Sequence, residues 1–517
     1  MNDEIELKLS LAPEHLERLR RNPLLRSLAQ GRSKRQELVS TYFDTPDFKL
    51  KSRGQALRIR QIGERRVQTL KAKQNGAQPG VSMAHSHREF ENDVDGEQPR
   101  LDLIDDDVLR AELEQPQLRD ALTPVFTTQI DRRALALHLA DSDIELAIDF
   151  GEIRANGRNL PICEAELELK SGRPSRLYEL ALLLCDKIPF RIEQQTKAAR
   201  GYGLYGEHEP EPVFAVKQEL SPELTTGEAF ARLARACLDH LRANEAAVFH
   251  GADPEGVHQM RVATRRLRAL VSAFQDLLDD EVGAELKREL RWLQQVLGPA
   301  RDWDVFTEET LAPLLRSLPG EAGLEDLRDH CKRARAQAYE AAHQALAEPR
   351  YTRLLLRLAL WLGDGGWASR DPADEAALKA PVQEWSDPVL DRRAAGLAKL
   401  GRKHRKLSHA RLHQVRIAAK KMRYACEFFR GIYDEKALKT YIKRLVALQD
   451  TLGSLNDAVT GHRLLDEIES SLGRNRRGAM ATPVGIVMGW QAAQIDNDLG
   501  RFSKAWKKYR GTKVFWD

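Results

Sequence analysis

Two short stretches decide the fold of the N-terminal half: Glu4-Ile5-Glu6-Leu7-Lys8 and Glu164-Ala165-Glu166-Leu167-Glu168-Leu169-Lys170. In both, charged and apolar residues alternate with a period of two, so a β-strand places the charged side chains on one face and the apolar ones on the other. Two such strands predict a barrel with a charged lumen. Carboxylates that share a lumen repel one another unless a cation lies between them, and clusters of hard oxygen ligands suit Mg²⁺ or Mn²⁺. Metal-assisted chemistry is therefore the first functional hypothesis.

Length and composition predict several domains, because 517 residues are too many for one ordinary core. Residues 1–210 contain 32 Lys and Arg against 35 Asp and Glu, and the remainder contains 49 against 42, so the second half is the stronger candidate for binding an anion. The five cysteines form no C-x-x-C pair, which argues against a zinc site or a disulfide framework. No apolar run approaches the roughly 20 residues of a membrane span, and the acidic N-terminus does not resemble a signal peptide. We expect a cytoplasmic protein without a membrane partner.

The secondary-structure pattern changes near residue 205. Before it, alternating segments predict strands over 41–44, 56–62, 67–73, 88–94, 144–150 and 162–170, with helices at 13–29, 105–113 and 175–187. After Thr225, long stretches have helical periodicity, such as 227–249, 257–278 and 412–429. A proline-containing segment around Pro212 cannot continue a helix. The sequence thus predicts an α+β, multidomain chain, with a β-barrel over 1–205, a linker over 206–222 and an all-α domain over 223–510.

The helical half repeats itself at an offset of 155 residues. His258-Gln-Met-Arg261 recurs as His413-Gln-Val-Arg416, and Leu297-Gly298 with Asp302 recurs as Leu452-Gly453 with Asp457. One offset held over some 45 residues indicates a duplicated unit, with copies around 225–350 and 385–510. Two related bundles that face each other predict a pseudo-twofold helical module.

Each copy carries a basic stripe on one helix. The first comprises His258, Arg261, Arg265 and Arg268, and the second His413, Arg416, Lys420 and Arg423. At 100° per residue, each stripe falls within an arc of about 80°. One such stripe is most often a solvated face, but two in the same register predict a concentrated positive surface that attracts a polyanion. The stripes lack interleaved aromatic residues, which disfavours nucleic acid, and no acid cluster or activated nucleophile marks this half as catalytic.

Basic pairs accompany the acids in the N-terminal half. Arg58 and Arg60, like Lys71 and Lys73, are two residues apart and share a strand face. A lone pair is most often solvated, but a closed barrel brings several such strands face to face. Triphosphate bound through divalent metals fits both walls, because the cations bridge its oxygens to glutamates while guanidinium groups bind the others. Nucleic acid fits less well, because the acids repel its backbone.

Residues 1–205 resemble the CYTH, or triphosphate tunnel metalloenzyme, family. The resemblance rests on Glu4-x-Glu6-x-Lys8, Tyr42-Phe43-Asp44-Thr45, Arg58-x-Arg60, Lys71, Glu89, Asp149, Glu164-x-Glu166-x-Glu168 and Thr196-Lys197-Ala-Ala-Arg200-Gly. It implies an eight-stranded antiparallel tunnel that hydrolyses or cyclises triphosphates with Mg²⁺ or Mn²⁺.

The resemblance also implies roles for individual residues. Metal ligands would come from Glu4, Glu6, Asp149, Glu164, Glu166 and Glu168, and which two acids of the last strand bind metal stays open. Substrate phosphates would contact Lys8, Arg58, Arg60, Lys71, Arg132, Lys197 and Arg200. Lys197 would lie on a helix that plugs the tunnel, near the terminal phosphoryl group. With Lys197, Glu6 and Glu89 complete the expected catalytic set, because either carboxylate would help activate a water.

Residues 220–510 resemble the CHAD domain, the conserved-histidine α-helical domain, through the His-x-x-Arg repeats and the Leu-Gly-x-x-Arg/Asn-Asp segments. This resemblance implies two four-helix bundles that bind inorganic polyphosphate in a basic cleft, through the two stripes. The combined interpretation is an inorganic triphosphatase that hydrolyses tripolyphosphate, joined to a polyphosphate-binding domain. Two alternatives stay open: a thiamine triphosphatase or adenylate cyclase on the same tunnel, and a non-catalytic polyphosphate-binding scaffold. A pure anion binder, however, gains nothing from a wall of glutamates.

Overall fold

The structure is a computed structural model, and it describes residues 3–73, 83–206, 210–250, 253–278, 280–363, 365–368, 371–402, 407–472 and 474–516. The chain divides into two compact units, one over Met1–Glu209 with Leu346–Gly366 and one over Pro210–Ala345 with Trp367–Asp517. The predicted boundaries at 205 and 223 stay predictions. The predicted linker includes residues 207–209, which lie outside the described residues, and residues 210–221 form neither helix nor strand.

The first unit is built on one antiparallel sheet. Its strands are β1 (Asp3–Ser10), β2 (Lys34–Asp44), β3 (Gln55–Ile62), β4 (Arg65–Lys73), β5 (His85–Asp93), β6 (Thr123–Leu139), β7 (Ser142–Ala155), β8 (Arg158–Ser171) and β9 (Arg191–Ile192). The hydrogen-bonded order is β5-β4-β3-β2-β6-β7-β8-β1-β9, and β1 also pairs with β5, which closes the first eight strands into a barrel. The eight-stranded antiparallel tunnel is confirmed. The alternation pattern did not predict β6, the longest of the described strands.

The helices, in chain order, are α1 (Leu16–Arg20), α2 (Pro23–Leu28), α3 (Lys49–Ser52), α4 (Asp107–Leu113), α5 (Pro116–Arg119), α6 (Ser175–Cys185), α7 (Lys197–Gly203), α8 (Thr226–Ala243), α9 (Glu245–His250), α10 (Pro254–Ala273), α11 (Asp280–Val296), α12 (Gly298–Val305), α13 (Ala312–Ser317), α14 (Ala322–Ala347), α15 (Pro349–Gly363), α16 (Pro372–Lys379), α17 (Val382–Leu400), α18 (His409–Phe428), α19 (Glu435–Asp450), α20 (Gly453–Ser471) and α21 (Arg474–Arg510). A π-helical segment, Phe306–Leu311, joins α12 to α13. No helix in the described part of the chain combines the length and hydropathy that a membrane span requires.

The outer face of the barrel is apolar where α6 covers it. Leu7 and Leu167 stand opposite each other across β1 and β8 and are fully buried. Helix α6 packs on both strands, and α15 packs on α6 and β9, so α15 belongs to the first unit although it follows α14 in the chain. Because the outward residues are apolar, the residues between them face the lumen.

The second unit is all-helical, and its matching helices contact each other. α10 contacts α18, α12 contacts α20 and α8 contacts α17, as a duplicated module with a pseudo-twofold axis requires. Phe274 and Phe429, 155 residues apart, have ring centroids 6.1 Å apart. The main-chain segments at the starts of α8 and α17 also form reciprocal hydrogen bonds. The Thr226 N–H donates to the Ala380 carbonyl and the Val382 N–H donates to the Leu224 carbonyl, both at 2.9 Å.

Candidate functional site

The alternation within β1, β7 and β8 brings their acids into one cavity. Glu6 stands opposite Glu168 across β1 and β8, and Glu168 stands opposite Glu145 across β8 and β7. The lumen forms a cavity of about 640 Å³. The predicted site residues that line it are Glu4, Glu6, Lys8, Arg58, Arg60, Lys71, Glu89, Arg132, Glu166, Glu168 and Lys197. The charged lumen therefore unites most of the residues singled out in the sequence.

The basic wall lies on the strands opposite the acids. In the closed order, β3 is four strands from β8 in either direction, so Arg58 and Arg60 face the β8 glutamates. Arg60 donates a 3.3 Å hydrogen bond to Ser40 Oγ. Burial and the charges of Arg58 and Arg132 lower the pKa of Arg60 to about 10. Like charges packed this closely indicate a wall that an anion would stabilise.

Arg58 is the member of this wall that contacts an acid. It donates to Tyr42 Oη at 3.4 Å and lies 3.6 Å from Glu89, while its buried Nε has no hydrogen-bond partner among the described residues. Glu89 also lies 3.5 Å from Lys71. Glu89 is thus a carboxylate set among the predicted phosphate-binding cations.

Three buried carboxylates surround Lys197 at the base of the lumen. Its Nζ lies 2.7 Å from Asp149, 2.5 Å from Glu164 and 2.9 Å from Glu166. Burial alone would lower the pKa of Lys197, but the three carboxylates outweigh it and raise the pKa. Within the described ranges, this is the one group of three such side chains close enough to share a cation.

Two of the predicted substrate-binding residues, Arg132 and Arg200, form hydrogen bonds with these acids. Arg132 makes two 2.7 Å hydrogen bonds to Asp149 and a 2.6 Å hydrogen bond to Glu166. Arg200 donates to Glu164 and does not line the cavity. Asp149 and Glu164 are themselves fully buried beneath the lining. The carboxylates of Asp149 and Glu164 therefore form ion pairs with neighbouring side chains and are not exposed to the lumen.

The pKa values of the two acids of β1 are shifted in opposite directions. Burial opposes ionisation of Glu6, but Lys8, 2.8 Å away, lowers the pKa of Glu6 to about 2. Burial raises the pKa of Glu4 despite its ion pair with Lys71. Lys8 also binds Glu166, which joins the β1 and β8 acids. Glu6 is therefore the acid that stays charged, and Glu4 is the more easily protonated one.

Helix α7, which carries Lys197, is fixed at both ends. At its start, Thr196 Oγ accepts a 3.1 Å hydrogen bond from the Ala199 N–H. Near its end, Tyr202 Oη donates at 2.8 Å to the buried carboxylate of Asp44, which also accepts from the Leu50 N–H at 2.8 Å. Gly201 lies against the Phe126 ring, where a Cβ atom would overlap the ring. These contacts set the position of Lys197.

Several lining residues were not expected from the sequence, notably Glu91, Glu145 and Tyr202. Glu145 shares the lumen face of β7 with Asp149, because four residues separate them. That spacing is a sequence signal that could have identified Glu145. No comparable pattern marks Tyr202.

The basic stripes of the second unit meet in a cavity of about 850 Å³. Six of the eight predicted polyphosphate-binding residues line it: His258, Arg261, Arg265, Arg416, Lys420 and Arg423. Arg268 instead donates to Gln294, and His413 is exposed outside the lining. The Nε atoms of Arg265 and Arg416 are buried without a hydrogen-bond partner in the described part of the chain, whereas the Nε of Arg423 lies 3.5 Å from Glu427.

Burial, together with crowding of like charges, shifts the pKa values in this cavity. Burial, with Arg416 and Arg265 nearby, lowers the pKa of Lys420 to about 7. Burial and the charge of Arg301 lower the pKa of His258 to about 4. The same cavity contains the carboxylates of Asp302, Glu309 and Asp457, and the repeat pattern did not predict that Asp302 and Asp457 lie beside the stripes.

Comparisons with known proteins match two separate parts of the chain to two protein families. A model of the CYTH domain matches residues 2–202, and a model of the CHAD domain matches residues 232–466. The chain is 33% identical over 208 residues to an inorganic triphosphatase of Haemophilus influenzae, covering 39% of this chain and 55% of that protein. It is 28% identical over 274 residues to an uncharacterized protein of Mycobacterium tuberculosis, covering 50% of each. The chain thus spans about half the length of the curated relatives it matches.

A solved structure resembles the second unit. The crystal structure of the CHAD domain from the plant Ricinus communis has 31% sequence identity and a TM-score of 0.52, and the match covers 59% of this chain and 98% of that one. The two family models together match well over half of the residues. The chain therefore belongs to the CYTH and CHAD families, with a CYTH domain followed by a CHAD domain.

Proposed function

We propose that the chain is a metal-dependent inorganic triphosphatase, which hydrolyses tripolyphosphate to pyrophosphate and phosphate in the CYTH lumen and binds polyphosphate in the CHAD cavity. The main support is the division of one lumen into a wall of glutamates and an opposite wall of arginines. A triphosphate with its divalent cation complements both walls. The five free cysteines also support a reducing, cytoplasmic location.

The acids of the lumen fit a hard divalent cation such as Mg²⁺ or Mn²⁺. Carboxylate oxygens are its preferred protein ligands, and Asp149, Glu164 and Glu166 already surround a cationic group, the Lys197 ammonium. The residues proposed to hold the metal are Glu4, Glu6 and Glu166, with Glu168, Asp149 and Glu164 as further acids of the same wall. When bound, the metal would neutralise phosphate charge and make a bound water more acidic.

The side chains of this chain supply the remaining requirements. Arg58, Arg60 and Lys71 would bind nonbridging oxygens and stabilise the charge that builds up as the terminal phosphoryl group is transferred. Lys71, like Lys8, Arg132, Arg200 and Lys197, would contact phosphate only after its present carboxylate partner rearranges, since each of these groups is ion-paired. Glu6, with a pKa of about 2, suits charge compensation. Glu89, which lies beside Arg58 and Lys71 among the predicted phosphate contacts, is proposed with Glu6 as an acceptor of the proton from the attacking water.

Phosphate release tests the proposal most directly. Tripolyphosphate, ATP and thiamine triphosphate are compared with Mg²⁺, with Mn²⁺ and with EDTA. We expect turnover of tripolyphosphate with metal and none with EDTA. Faster turnover of ATP or thiamine triphosphate would favour the organic-substrate alternatives, and no turnover of any substrate would favour the non-catalytic scaffold.

The CHAD cavity supports the second part of the proposal. The buried Nε atoms of Arg265 and Arg416 lack a hydrogen-bond partner among the described residues, and desolvated donors of this kind favour an anionic ligand. Labelled long-chain polyphosphate is titrated into the full chain at two salt concentrations. Binding should weaken with salt, because Lys and Arg contacts release counterions. Combined Arg261→Ala, Arg265→Ala, Arg416→Ala and Lys420→Ala should remove most of the binding yet spare tripolyphosphate hydrolysis; undiminished affinity would contradict the assignment.

A further inference from the structure

The CHAD cavity contains carboxylates that a plain anion-binding surface does not need. Asp302 on α12 and Asp457 on α20 occupy matching positions 155 residues apart, and the two helices contact each other. Both carboxylates line the cavity that contains the basic stripes. Each weakens the attraction of that cavity for a polyanion. Their presence among the basic residues of this cavity therefore needs a physical reason.

Local ion pairing explains only one of the two acids. Asp302 accepts a 2.7 Å hydrogen bond from Arg463. Within the described part of the chain, the carboxylate of Asp457 accepts only a long hydrogen bond, 3.5 Å, from Asn456. Burial raises the pKa of Asp457, and the charge of Asp302 adds to the rise despite Arg416 and Lys420. The two carboxylates thus repel each other across the cavity.

Gln491 provides a second, independent observation. Its side chain on α21 is 4% exposed and lines the same cavity, and neither its Oε1 nor its Nε2 has a hydrogen-bond partner within the described ranges. The amide lies over Gly461, where a Cβ atom would overlap it, and Gly461 is one turn beyond Asp457 on the same face of α20. A buried amide without partners is destabilising unless a ligand satisfies it.

We propose that Asp302, Asp457 and Gln491 form a divalent-cation site that takes up Mg²⁺ together with a phosphate chain. The inference rests on the proposed binding of polyphosphate in this cavity. Carboxylate and amide oxygens are ligands for hard cations, and Mg²⁺ is commonly held by one or two carboxylates with phosphate oxygens completing its shell. The residues that the structure describes place no third carboxylate close enough here to complete a protein-only site.

Because the protein supplies only part of the coordination shell, the cation and the phosphate chain bind cooperatively. Arg261, Arg265 and Arg416 hold the chain, and the cation joins its oxygens to the two aspartates. Coupling of this kind typically strengthens affinity by about 5- to 150-fold, and reciprocally for the two ligands. Without such a site Mg²⁺ has the opposite effect, because it neutralises phosphate charge and weakens attraction to a basic surface.

The test uses the full chain carrying Glu6→Gln, which suppresses hydrolysis in the lumen. Anisotropy of labelled long-chain polyphosphate is measured in EDTA and in Mg²⁺ at constant ionic strength. We expect Mg²⁺ to tighten binding about tenfold, within the usual range of such couplings. In Asp457→Asn, binding in EDTA should become tighter, since a negative charge is lost, whereas the gain from Mg²⁺ should disappear.

Asp450→Asn is the matched control, because Asp450 lines the same cavity beside Arg416. It removes the same charge and should tighten binding in EDTA while the gain from Mg²⁺ persists. If Asp457→Asn does not fold, Gln491→Met replaces it, since an apolar side chain there leaves no buried amide unsatisfied; it should reduce the gain.

The outcomes separate the two proposals. No binding in either buffer would overturn the polyphosphate-binding function itself. Binding that Mg²⁺ weakens, an equal gain from spermidine, or a gain retained in both Asp457→Asn and Gln491→Met would overturn the cation site and leave polyphosphate binding standing.

Discussion

At the scale of single residues, several buried charges of the CYTH lumen are held in ion pairs. Glu6 is 4% exposed and 2.8 Å from Lys8, and Lys8 also binds Glu166. A buried pair of this kind adds little net stability, but loss of one partner leaves an uncompensated charge. Substitutions at these positions therefore affect both charge balance and chemistry, and each needs a measurement of folding beside that of activity.

Glu6→Gln should reduce metal-dependent hydrolysis of tripolyphosphate by about a thousandfold, because it removes a proposed metal ligand at nearly constant volume. Phosphate release over a range of Mg²⁺ concentrations measures the effect, and thermal unfolding reports the fold. Glu152→Gln is the control, since Glu152 lies on the outer face of β7, paired with Arg154. Near-normal turnover in Glu6→Gln would show that Glu6 is not a required metal ligand.

Arg60→Ala should raise the KM for tripolyphosphate about tenfold or more, because a charge-assisted phosphate contact is worth about 1.5–3 kcal/mol. Arg60→Lys should recover part of the affinity, since it restores the charge without the planar fork. Metal affinity of the free protein, followed by Mn²⁺ titration, should not change. A parallel loss of Mn²⁺ binding would show that Arg60 acts on the acid wall instead.

Lys420 should make polyphosphate binding depend on pH. Its pKa is depressed to about 7 by burial and by Arg416, Arg265 and Arg423, so the free amine is protonated below pH 7 and neutral above it. A bound polyanion favours the protonated form, so affinity should fall as pH rises from 6 to 8. His258, with a pKa of about 4, stays neutral throughout this range.

The Lys420 prediction is checked by titrations in EDTA at pH 6, 7 and 8. Lys420→Arg should bind with little pH dependence, because a guanidinium group stays charged throughout this range. An unchanged pH profile in Lys420→Arg would assign the titration to another group.

At the scale of elements, α7 is held in place by contacts near both of its ends. Thr196 caps it, Tyr202 binds Asp44, and Gly201 allows its close approach to Phe126. The position of Lys197 beside the three carboxylates therefore depends in part on contacts made at the other end of this seven-residue helix. A shift of this helix changes the charge balance of the lumen without altering any charged residue.

Gly201→Ala should cost about 1–3 kcal/mol of the free energy of unfolding, because the added methyl group overlaps the Phe126 ring. Displacement of α7 should also lower tripolyphosphate turnover. Gly203→Ala is the matched control in the same helix, since no atom lies within 4 Å of its added Cβ, and it should be neutral or slightly stabilising. Urea unfolding monitored by circular dichroism measures both variants. Equal stabilities would show that α7 is not tightly docked.

Elements with strict alternation were predictable, and mixed ones were not. The lumen faces of β1 and β8 could be predicted because every second residue in their charged stretches is charged. The lumen face of β6 could not, because it runs from Phe126 through Thr128 and Ile130 to Arg132, apolar at one end and charged at the other. Asp302 and Asp457 were quoted in the repeat, but their approach to each other follows from the packing of α12 on α20, which the sequence pattern does not encode.

At the scale of the whole molecule, the first unit is discontinuous in sequence. α15 packs on α6 and β9, Thr352 Oγ donates to the Phe190 carbonyl at 3.0 Å, and Arg353 lies 3.1 Å from Asp186. The sequence predicts a self-contained barrel over 1–205 because the linker separates two periodicities. A helix that belongs to one unit but lies within the other's sequence leaves no such mark.

A fragment of residues 1–206 should therefore unfold at a lower temperature than the same fragment joined to residues 346–366 by a flexible linker. Loss of α15 uncovers the apolar side of α6, and burial of apolar surface is the main stabilising contribution in folding. A control fusion carries a scrambled α15 sequence. Equal melting temperatures for the three proteins would show that α15 contributes nothing to the barrel.

The discontinuity also matters while the protein is being made. At about 5–20 residues per second, a ribosome needs roughly 8–30 s to proceed from residue 206 to the end of α15 at Gly363. Throughout this interval the nascent barrel has α6 but not the helix that covers it. Cotranslational folding of the N-terminal unit is thus completed only midway through synthesis of the C-terminal one, and chaperone binding to nascent chains should be strongest within that window.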